Sequence, residues 1–245
     1  MSGKLRQVGN QWMNEAEFDK FADEYYVSHA AGIAISGESP DYFSEYKIVD
    51  IAREWRLAPR AATSPIEILD FGAGIGNSVP YVQKHLAGEH LTCLDLSQRS
   101  LKVAEGRFPE QASYVHFDGT RIPFPEDHFD IAYAMCVFHH IDHADHAALL
   151  QELRRVIRPG GCLFVFEHNP YNPLTVRIVN TCPFDENAHL IGGSEMKQRL
   201  LSAGFSSAKI RYRVFFPHFL RWLRPLEGAL AWLPLGGQYY ARSVK

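Results

Sequence analysis

The sequence lacks the features that mark several large classes of protein. It has no apolar run long enough to span a bilayer and no run of lysine and arginine that would form a nucleic-acid surface. Its first residues are polar and lack the apolar segment of a secretion signal. These absences predict a cytoplasmic protein with no integral membrane segment and with no nucleic acid among its partners.

Cysteine is also scarce, and its spacing shows no CxxC motif. The four cysteines are Cys93, Cys136, Cys162 and Cys182. Two of them lie inside apolar, strand-like segments. We therefore expect reduced thiols packed in the protein interior, as in a cytosolic protein.

From residue 66 onward, apolar strand-like segments alternate with segments of helical periodicity. The predicted strands are 66–71, 90–95, 113–117, 129–135, 162–167, 208–215 and 238–244. The predicted helices are 79–86, 98–107, 144–156 and 195–203. Such alternation predicts an α/β fold with a mostly parallel sheet and helices on both faces. With 245 residues, the chain can bury a full core without disulfide or metal support.

The N-terminal part has a different pattern, because residues 12–56 have helical periodicity and Ser39-Pro40 is a typical helix start. We predict that residues 1–60 form a helical lid and that residues 61–245 form one domain. This domain contains two insertions, at 169–191 and 216–237. The second is apolar and is cut by prolines into two short helices. It could cover a hydrophobic substrate, form a dimer contact, rest on a membrane surface or pack against the sheet.

The segment 70–77 reads Asp-Phe-Gly-Ala-Gly-Ile-Gly-Asn and joins the first predicted strand to a helix. Glycines at such a position let a ligand approach the backbone closely, although a plain turn would also use them. The G-x-G-x-G spacing differs from the G-x-G-x-x-G of dinucleotide-binding loops. A carboxylate directly ahead of the loop, Asp70, favours a ligand that carries an ammonium and a sulfonium group.

Two further acidic residues follow the next two predicted strands. Asp95 ends the second strand, where a carboxylate can accept hydrogen bonds from two ribose hydroxyls, although it could also cap the following helix. Asp118-Gly119 follows the third strand, where a carboxylate can accept from the exocyclic amine of adenine, although a turn aspartate is the simpler alternative. Together these residues predict a site for S-adenosylmethionine.

Four segments resemble motifs of the class I S-adenosylmethionine-dependent methyltransferases, in particular the methyltransferase type 11 group that includes the ubiquinone and menaquinone methyltransferases. They are 68–76, 122–130, 137–141 and 154–161, and the resemblance extends over residues 65–210 in the usual order. It implies a Rossmann-like three-layer sandwich with a seven-stranded, mostly parallel sheet whose last strand is antiparallel. It also implies that S-adenosylmethionine is the cofactor and S-adenosylhomocysteine the product.

The resemblance also implies a set of cofactor-binding residues. In an N-terminal motif that usually reads Tyr-Asp, this chain has two tyrosines in sequence, and either could cover the methionine end of the cofactor. The expected cofactor-binding residues are Tyr25, Tyr26, Asp70, Gly72, Ala73, Gly74, Gly76, Asp95, Leu96, Asp118, Gly119, Met135 and His140.

Histidines at the ends of the fourth and fifth predicted strands are the candidate catalytic bases. They are His139, His140 and His168, and imidazole titrates near neutral pH. The resemblance implies that His140 packs beside the cofactor and that His139 faces the substrate. The alternative is that these histidines are structural turn residues.

The same histidines begin a segment, 139–146, that contains four imidazoles and two carboxylates. Spacings of three and four residues would place some of them on one helical face, as in a metal site. However, Asp142 or Asp145 as a helix N-cap explains the pattern sufficiently. We therefore expect no metal site.

These features predict an enzyme that transfers a methyl group from S-adenosylmethionine to a small organic acceptor by O-, N- or C-methylation. The acceptor could be a secondary metabolite, a quinone-like compound or a sugar, and the protein a monomer or a homodimer. One alternative is a catalytically inactive protein that binds S-adenosylmethionine or S-adenosylhomocysteine for regulation or assembly. Another is an NAD-dependent oxidoreductase, which predicts the absent G-x-G-x-x-G loop.

Overall fold

The computed structural model describes residues 37–57, 65–86, 89–182, 185 and 188–245. Most of the predicted lid, including Tyr25 and Tyr26, lies outside these residues. None of the described helices is long and apolar enough to cross a membrane.

Within the described residues, seven strands form one sheet with the order β3-β2-β1-β4-β5-β7-β6. The strands are β1 Glu67–Phe71, β2 His90–Asp95, β3 Ser113–His116, β4 Phe129–Met135, β5 Ile157–His168, β6 Ser207–Arg213 and β7 Gln238–Val244. Strands β1 to β5 pair in parallel, whereas β7 lies antiparallel between β5 and β6. The predicted mostly parallel seven-stranded sheet with an antiparallel last strand is confirmed.

Helices cover both faces of the sheet, as predicted for a three-layer sandwich. They are α1 Pro40–Leu57, α2 Val79–His85, α3 Gln98–Arg107, α4 His146–Val156, α5 Pro173–Thr181, α6 Gly193–Ser202 and α7 Glu227–Leu230. Helices α1 to α3 contribute to the hydrophobic core on one face, and α4 and α6 to the core on the other. Helix α1 buries Ile48, Ile51 and Trp55, whose helical spacing places them on one side of the helix.

Several boundaries differ from the sequence prediction, and for two of them the structure shows a local reason. Strand β5 begins at Ile157 rather than 162, because Ile157 pairs with Phe129 and a register shift then accommodates the Pro-Gly-Gly segment. Helix α4 begins at His146 rather than 144. The Asp142 carboxylate accepts the Ala144 N–H at 2.9 Å, which holds this segment in a turn before the helix.

The 169–191 insertion, for which no helix was predicted, contains helix α5. Its N-cap is Asn172, whose side chain accepts the N–H groups of Leu174 and Thr175 at 3.1 and 3.0 Å. Pro173 occupies the first helical position. An Asn-Pro pair is a typical helix start, so the signal for this helix was present in the sequence.

The 216–237 insertion contains a 3-10 segment, His218–Leu226, and then the short helix α7. Five of its large apolar side chains are more than half exposed, namely Phe219, Trp222, Leu226, Trp232 and Leu235. Packing against the sheet therefore does not account for these five side chains. Because β6 runs parallel to β1, the insertion leaves the sheet at the edge where the glycine loop lies.

Candidate active site

The glycine loop leaves β1 at the point where the strand order of the sheet reverses, between β1 and β4. The N–H groups of Gly72 and Ala73 both donate to the Leu94 carbonyl, at 2.8 and 3.1 Å, and so fasten the loop to the end of β2. Gly72 has φ of +77°, and a Cβ there would lie 2.6 Å from a methyl group of Val137. Only glycine therefore fits at this position.

Asp95 joins this loop to the turn that follows β2. Its carboxylate accepts the Gly74 N–H at 2.7 Å and the Ser97 N–H at 2.8 Å. Burial raises the pKa of Asp95, although these two backbone hydrogen bonds oppose the shift. The N-cap of α3 is Ser97 rather than Asp95. Each carboxylate oxygen has two lone pairs, so Asp95 can still accept hydrogen bonds from ligand hydroxyls.

A pocket that opens to solvent lies between the ends of these strands. Its lining residues are Phe71, Gly72, Leu94, Asp95, Leu96, Phe117, Gly119, Val137, Ile141 and Leu149. Most of these side chains are apolar, and the single carboxylate is that of Asp95. An apolar pocket with one well-placed polar group is typical of a small-molecule site. Four predicted cofactor residues, Gly72, Asp95, Leu96 and Gly119, thus lie around one pocket.

Three further predicted cofactor residues, Gly76, Asp118 and Met135, are not among the residues that line the pocket. Gly76 has φ of +76° and lies where a Cβ would approach Ala104 of α3 at 3.0 Å. Asp118 is exposed, and its Oδ1 accepts the N–H groups of Thr120 and Arg121 at 2.8 and 3.0 Å. Met135 is the half-buried last residue of β4.

Asp70 is not among the residues that line the pocket. It is 3% exposed and accepts a hydrogen bond from the Ser78 hydroxyl, which in turn accepts one from Tyr133 at 3.1 Å. Burial raises the pKa of Asp70 to about 7, against the effect of these hydroxyl groups. The carboxylate therefore links the glycine loop to the beginning of α2.

The three predicted bases lie together at the ends of β4 and β5. The ring of His139 lies 4.1 Å from that of His140 and 5.2 Å from that of His168, measured between centroids. Gln238 faces Nδ1 of His168 at 3.4 Å. The sheet thus brings together histidines that are distant along the chain.

His139 itself is almost completely buried, with 1% of its side chain exposed. Its Nδ1 lies 2.5 Å from Oε2 of Glu167, and its Nε2 lies 3.4 Å from Oδ1 of Asp185. Burial disfavours the charged ring, but the Glu167 carboxylate and the contact with Asp185 raise the pKa of His139 to about 10. Burial and the neighbouring His139 lower the pKa of His140 to about 3.

A group of residues that the sequence did not single out lies next to these histidines. Lys47 donates to the Cys136 sulfur at 3.4 Å, and Tyr46 donates to the side chain of Gln238. Burial would raise the pKa of Cys136, but the charges of Lys47 and His168 lower it to about 7. Nothing in the sequence could indicate these contacts, because they join helix α1 to strands far along the chain.

The fold and the pocket define a class of protein. A parallel sheet with its ligand pocket at the strand-order reversal, a glycine loop after β1 and an acidic residue at the end of β2 is typical of Rossmann-like, nucleotide-cofactor-binding enzymes. Residues 69–165 match the family described as "Methyltransferase domain". Residues 69–165 and the fold are thus those of the class I S-adenosylmethionine-dependent methyltransferases.

Two curated relatives are similar over part of the chain. A demethylmenaquinone methyltransferase of Clavibacter sepedonicus is 32% identical over 129 residues, which are 50% of this chain and 51% of the relative. A demethylmenaquinone methyltransferase of Renibacterium salmoninarum is 30% identical over 167 residues, or 66% of each chain. The chain thus spans about half the length of the first of these relatives and about two thirds of the second.

Solved structures with the same fold cover nearly the whole chain. A methyltransferase from Thermotoga maritima, described as a possible histamine N-methyltransferase, has a TM-score of 0.64 at 16% identity and covers 94% of this chain and 98% of its own. The phosphoethanolamine N-methyltransferase 2 of Haemonchus contortus, in complex with S-adenosyl-L-methionine, has a TM-score of 0.63 at 15% identity. That match covers 93% of this chain and 60% of the other. At these identities the similarity concerns the fold.

Proposed function

We propose that this protein transfers a methyl group from S-adenosylmethionine to a small organic acceptor. The observation that carries the proposal is the pocket in which Gly72 and Asp95 meet, at the strand-order reversal of a methyltransferase domain. The residues present fit the cofactor, because an apolar pocket suits adenine and a carboxylate with spare lone pairs suits ribose.

In this proposal the adenosine part of the cofactor lies in the pocket described above. Asp95 accepts hydrogen bonds from the ribose hydroxyls, and Leu96 and Gly119 enclose the adenine. The Asp118 oxygen that does not close the turn accepts from the exocyclic amine of adenine.

The methionine part lies along the glycine loop in the same proposal. Ala73, Gly74 and Gly76 keep the loop close to the cofactor, with Asp70 behind it, while Met135 and His140 flank it at the end of β4. Tyr25 or Tyr26 covers it from the N-terminal segment.

The chemistry that the cofactor supplies is an activated methyl group on a sulfonium, which leaves as the neutral thioether S-adenosylhomocysteine. The chain's own residues therefore act mainly by position. They hold the acceptor atom in line with the methyl group and exclude water from the pocket. The acceptor enters at the ends of β4 and β5, where the partly exposed His140 and His168 are available to bind it. His139 is buried and, with its pKa raised to about 10, already carries a proton near neutral pH, so its part is to orient its neighbours.

We further propose that the acceptor is quinone-like and that the methylated atom is carbon. The names of the relatives support this choice, since two of them are demethylmenaquinone methyltransferases and another, from Gibberella zeae, is a sterol 24-C-methyltransferase. The apolar insertion 216–237, which leaves the sheet at the same edge as the pocket, suits an apolar acceptor.

The test is a methyl-transfer assay with S-adenosylmethionine that carries a deuterated methyl group. Demethylated quinols, hydroxylated aromatic amines and sugars are offered separately, and the products are analysed by mass spectrometry. We expect one deuterated methyl group on a carbon of the quinol. Labelling of a heteroatom would contradict the choice of carbon, and cofactor binding without any labelled product would favour the inactive alternative.

A further inference from the structure

Three side chains beside the candidate active site converge on a single point. His139 and His140 lie on a 3-10 turn, Phe138–His140, that follows β4, and Asp185 lies in the connection after α5. One possible ligand atom from each lies within 4.8 Å of those from the other two. The Nε2 atoms of both histidines face the same carboxylate oxygen, at 3.4 and 3.6 Å.

These separations are longer than good hydrogen bonds, which join N and O at about 2.7–3.2 Å. They match the distance between neighbouring ligands of a tetrahedral metal ion. Metal bonds of about 2.0–2.2 Å at the tetrahedral angle place two ligand atoms about 3.4 Å apart. The two distances to Asp185 are therefore those between ligands of one ion, and all three possible ligand atoms lie within 4.8 Å of one another.

Glu167 gives His139 the orientation that a metal ligand needs. Its Oε2 lies 2.5 Å from Nδ1 of His139, and its Oε1 accepts the Phe138 N–H at 2.8 Å. A carboxylate at Nδ1 holds a ring proton on that nitrogen. A metal ion that displaces the second proton of the charged ring would therefore bind at Nε2, on the side of Asp185. Histidines that bind metals commonly donate their other ring N–H to a carboxylate in this way.

The exposed fractions of the three side chains differ in a way that suits a metal site with one open coordination position. His139 has 1% of its side chain exposed, whereas His140 has 17% and Asp185 has 12%. An ion between them would be held on the buried side by His139 and would keep one position towards the site. Three protein ligands and one open position are typical of catalytic zinc sites.

We propose that His139, His140 and Asp185 bind a divalent transition-metal ion, Zn²⁺ in the first instance, with Glu167 as the positioning residue for His139. This revises the prediction of no metal site. That prediction considered only the segment 139–146, whereas Asp185 comes from a different part of the chain. The fourth position takes water or, if the proposed function holds, an oxygen atom of the acceptor.

The test uses the full chain, with any affinity tag removed, after treatment with a chelator. Zn²⁺ affinity is measured by competition with a chromophoric chelator, and Co²⁺ serves as a spectroscopic probe. We expect one equivalent of Zn²⁺ to bind and Co²⁺ to give the visible bands of a tetrahedral site. Because neither measurement needs methyl transfer, this proposal and the proposed function can fail independently.

Variants assign the site to these residues. His140→Ala and the isosteric Asp185→Asn should each lower Zn²⁺ affinity by more than the about 10–100-fold expected for Glu167→Gln, which removes a positioning carboxylate rather than a ligand. His143→Ala is the matched control, since His143 is exposed in the same segment and lies outside the cluster, and it should bind as the unmodified chain does. Thermal melts show whether each variant is folded. Absent Zn²⁺ binding, or equal affinity in folded Asp185→Asn and the unmodified chain, would overturn the proposal.

Discussion

Asp95 has two roles in this account, since it holds the glycine loop through Gly74 and is available to the ribose of the cofactor. Its position between two backbone N–H groups fixes the orientation of the carboxylate before any ligand arrives. A residue oriented in this way loses little side-chain entropy on binding, which favours affinity.

Asp95→Ala should therefore weaken the binding of S-adenosylhomocysteine by at least about 100-fold, because two hydrogen bonds to a charged group contribute about 1.5–3 kcal/mol each. Isothermal titration calorimetry measures the effect. Asp127→Ala is the control, because Asp127 precedes β4 at the opposite edge of the sheet and pairs with Lys245. Equal affinities for Asp95→Ala and Asp127→Ala would remove the ribose role from Asp95.

A second prediction concerns Asp70 and the way in which its contribution to stability depends on pH. Burial raises its pKa from 3.8 to about 7 in the folded protein, near Ser78, Tyr133, Asp95 and Lys47. Between pH 3.8 and about 7, Asp70 therefore binds more protons in the folded state than in the unfolded state. The contribution of Asp70 to stability is therefore present below pH 3.8 and is lost as the pH rises to about 7.

Asp70→Asn removes this titration and keeps the size of the side chain. The melting temperature of the variant, relative to the unmodified chain, should rise between pH 5 and about 7 and change little above that. Thermal melts at several pH values provide the measurement. A difference that is constant across this range, or that falls with pH, would show that Asp70 does not titrate there.

At the scale of the element, the glycine loop is restricted by a neighbouring strand end as well as by its own backbone. Gly72→Ala would place a methyl group 2.6 Å from Val137 at a φ of +77°. We expect a loss of about 1–3 kcal/mol in the free energy of unfolding, since both overpacking and left-handed backbone strain disfavour the folded state.

Gly106→Ala is the matched control for this change. Gly106 lies within α3, and a Cβ there meets no atom within 4 Å. The substitution should raise the free energy of unfolding by about 0.5–1 kcal/mol because alanine favours a helix. Denaturant titration compares both variants, and a Gly72→Ala variant as stable as Gly106→Ala would contradict the role given to Val137.

The helices and strands also show which features of the fold the sequence could predict. Strand and helix periodicity gave the order of the elements, and an antiparallel last strand was expected from the family resemblance. Local hydrogen bonding limited the accuracy of the boundaries, as the turn at Asp142 delays α4 and the bulge after Ile157 lengthens β5. Helix α5 was not predicted, although Asn172-Pro173 is a typical helix start.

At the scale of the whole molecule, the sequence allows some residues of the site to be predicted and not others, and the reason is physical. Residues at consecutive strand ends, such as Gly72 and Asp95, meet because a parallel sheet aligns the ends of its strands. The contact of Lys47 with Cys136 and that of His139 with Asp185 depend on how a helix and a long connection fold back. No spacing in a single sequence records such contacts.

The central claim concerns the whole molecule, namely that the β1 and β2 strand ends form a site for S-adenosylmethionine. Isothermal titration calorimetry of the full chain with S-adenosylhomocysteine, and separately with NAD, tests it most directly. The account predicts one equivalent of S-adenosylhomocysteine with saturable heat and no binding of NAD. Clear binding of NAD, or no heat with S-adenosylhomocysteine, would contradict it.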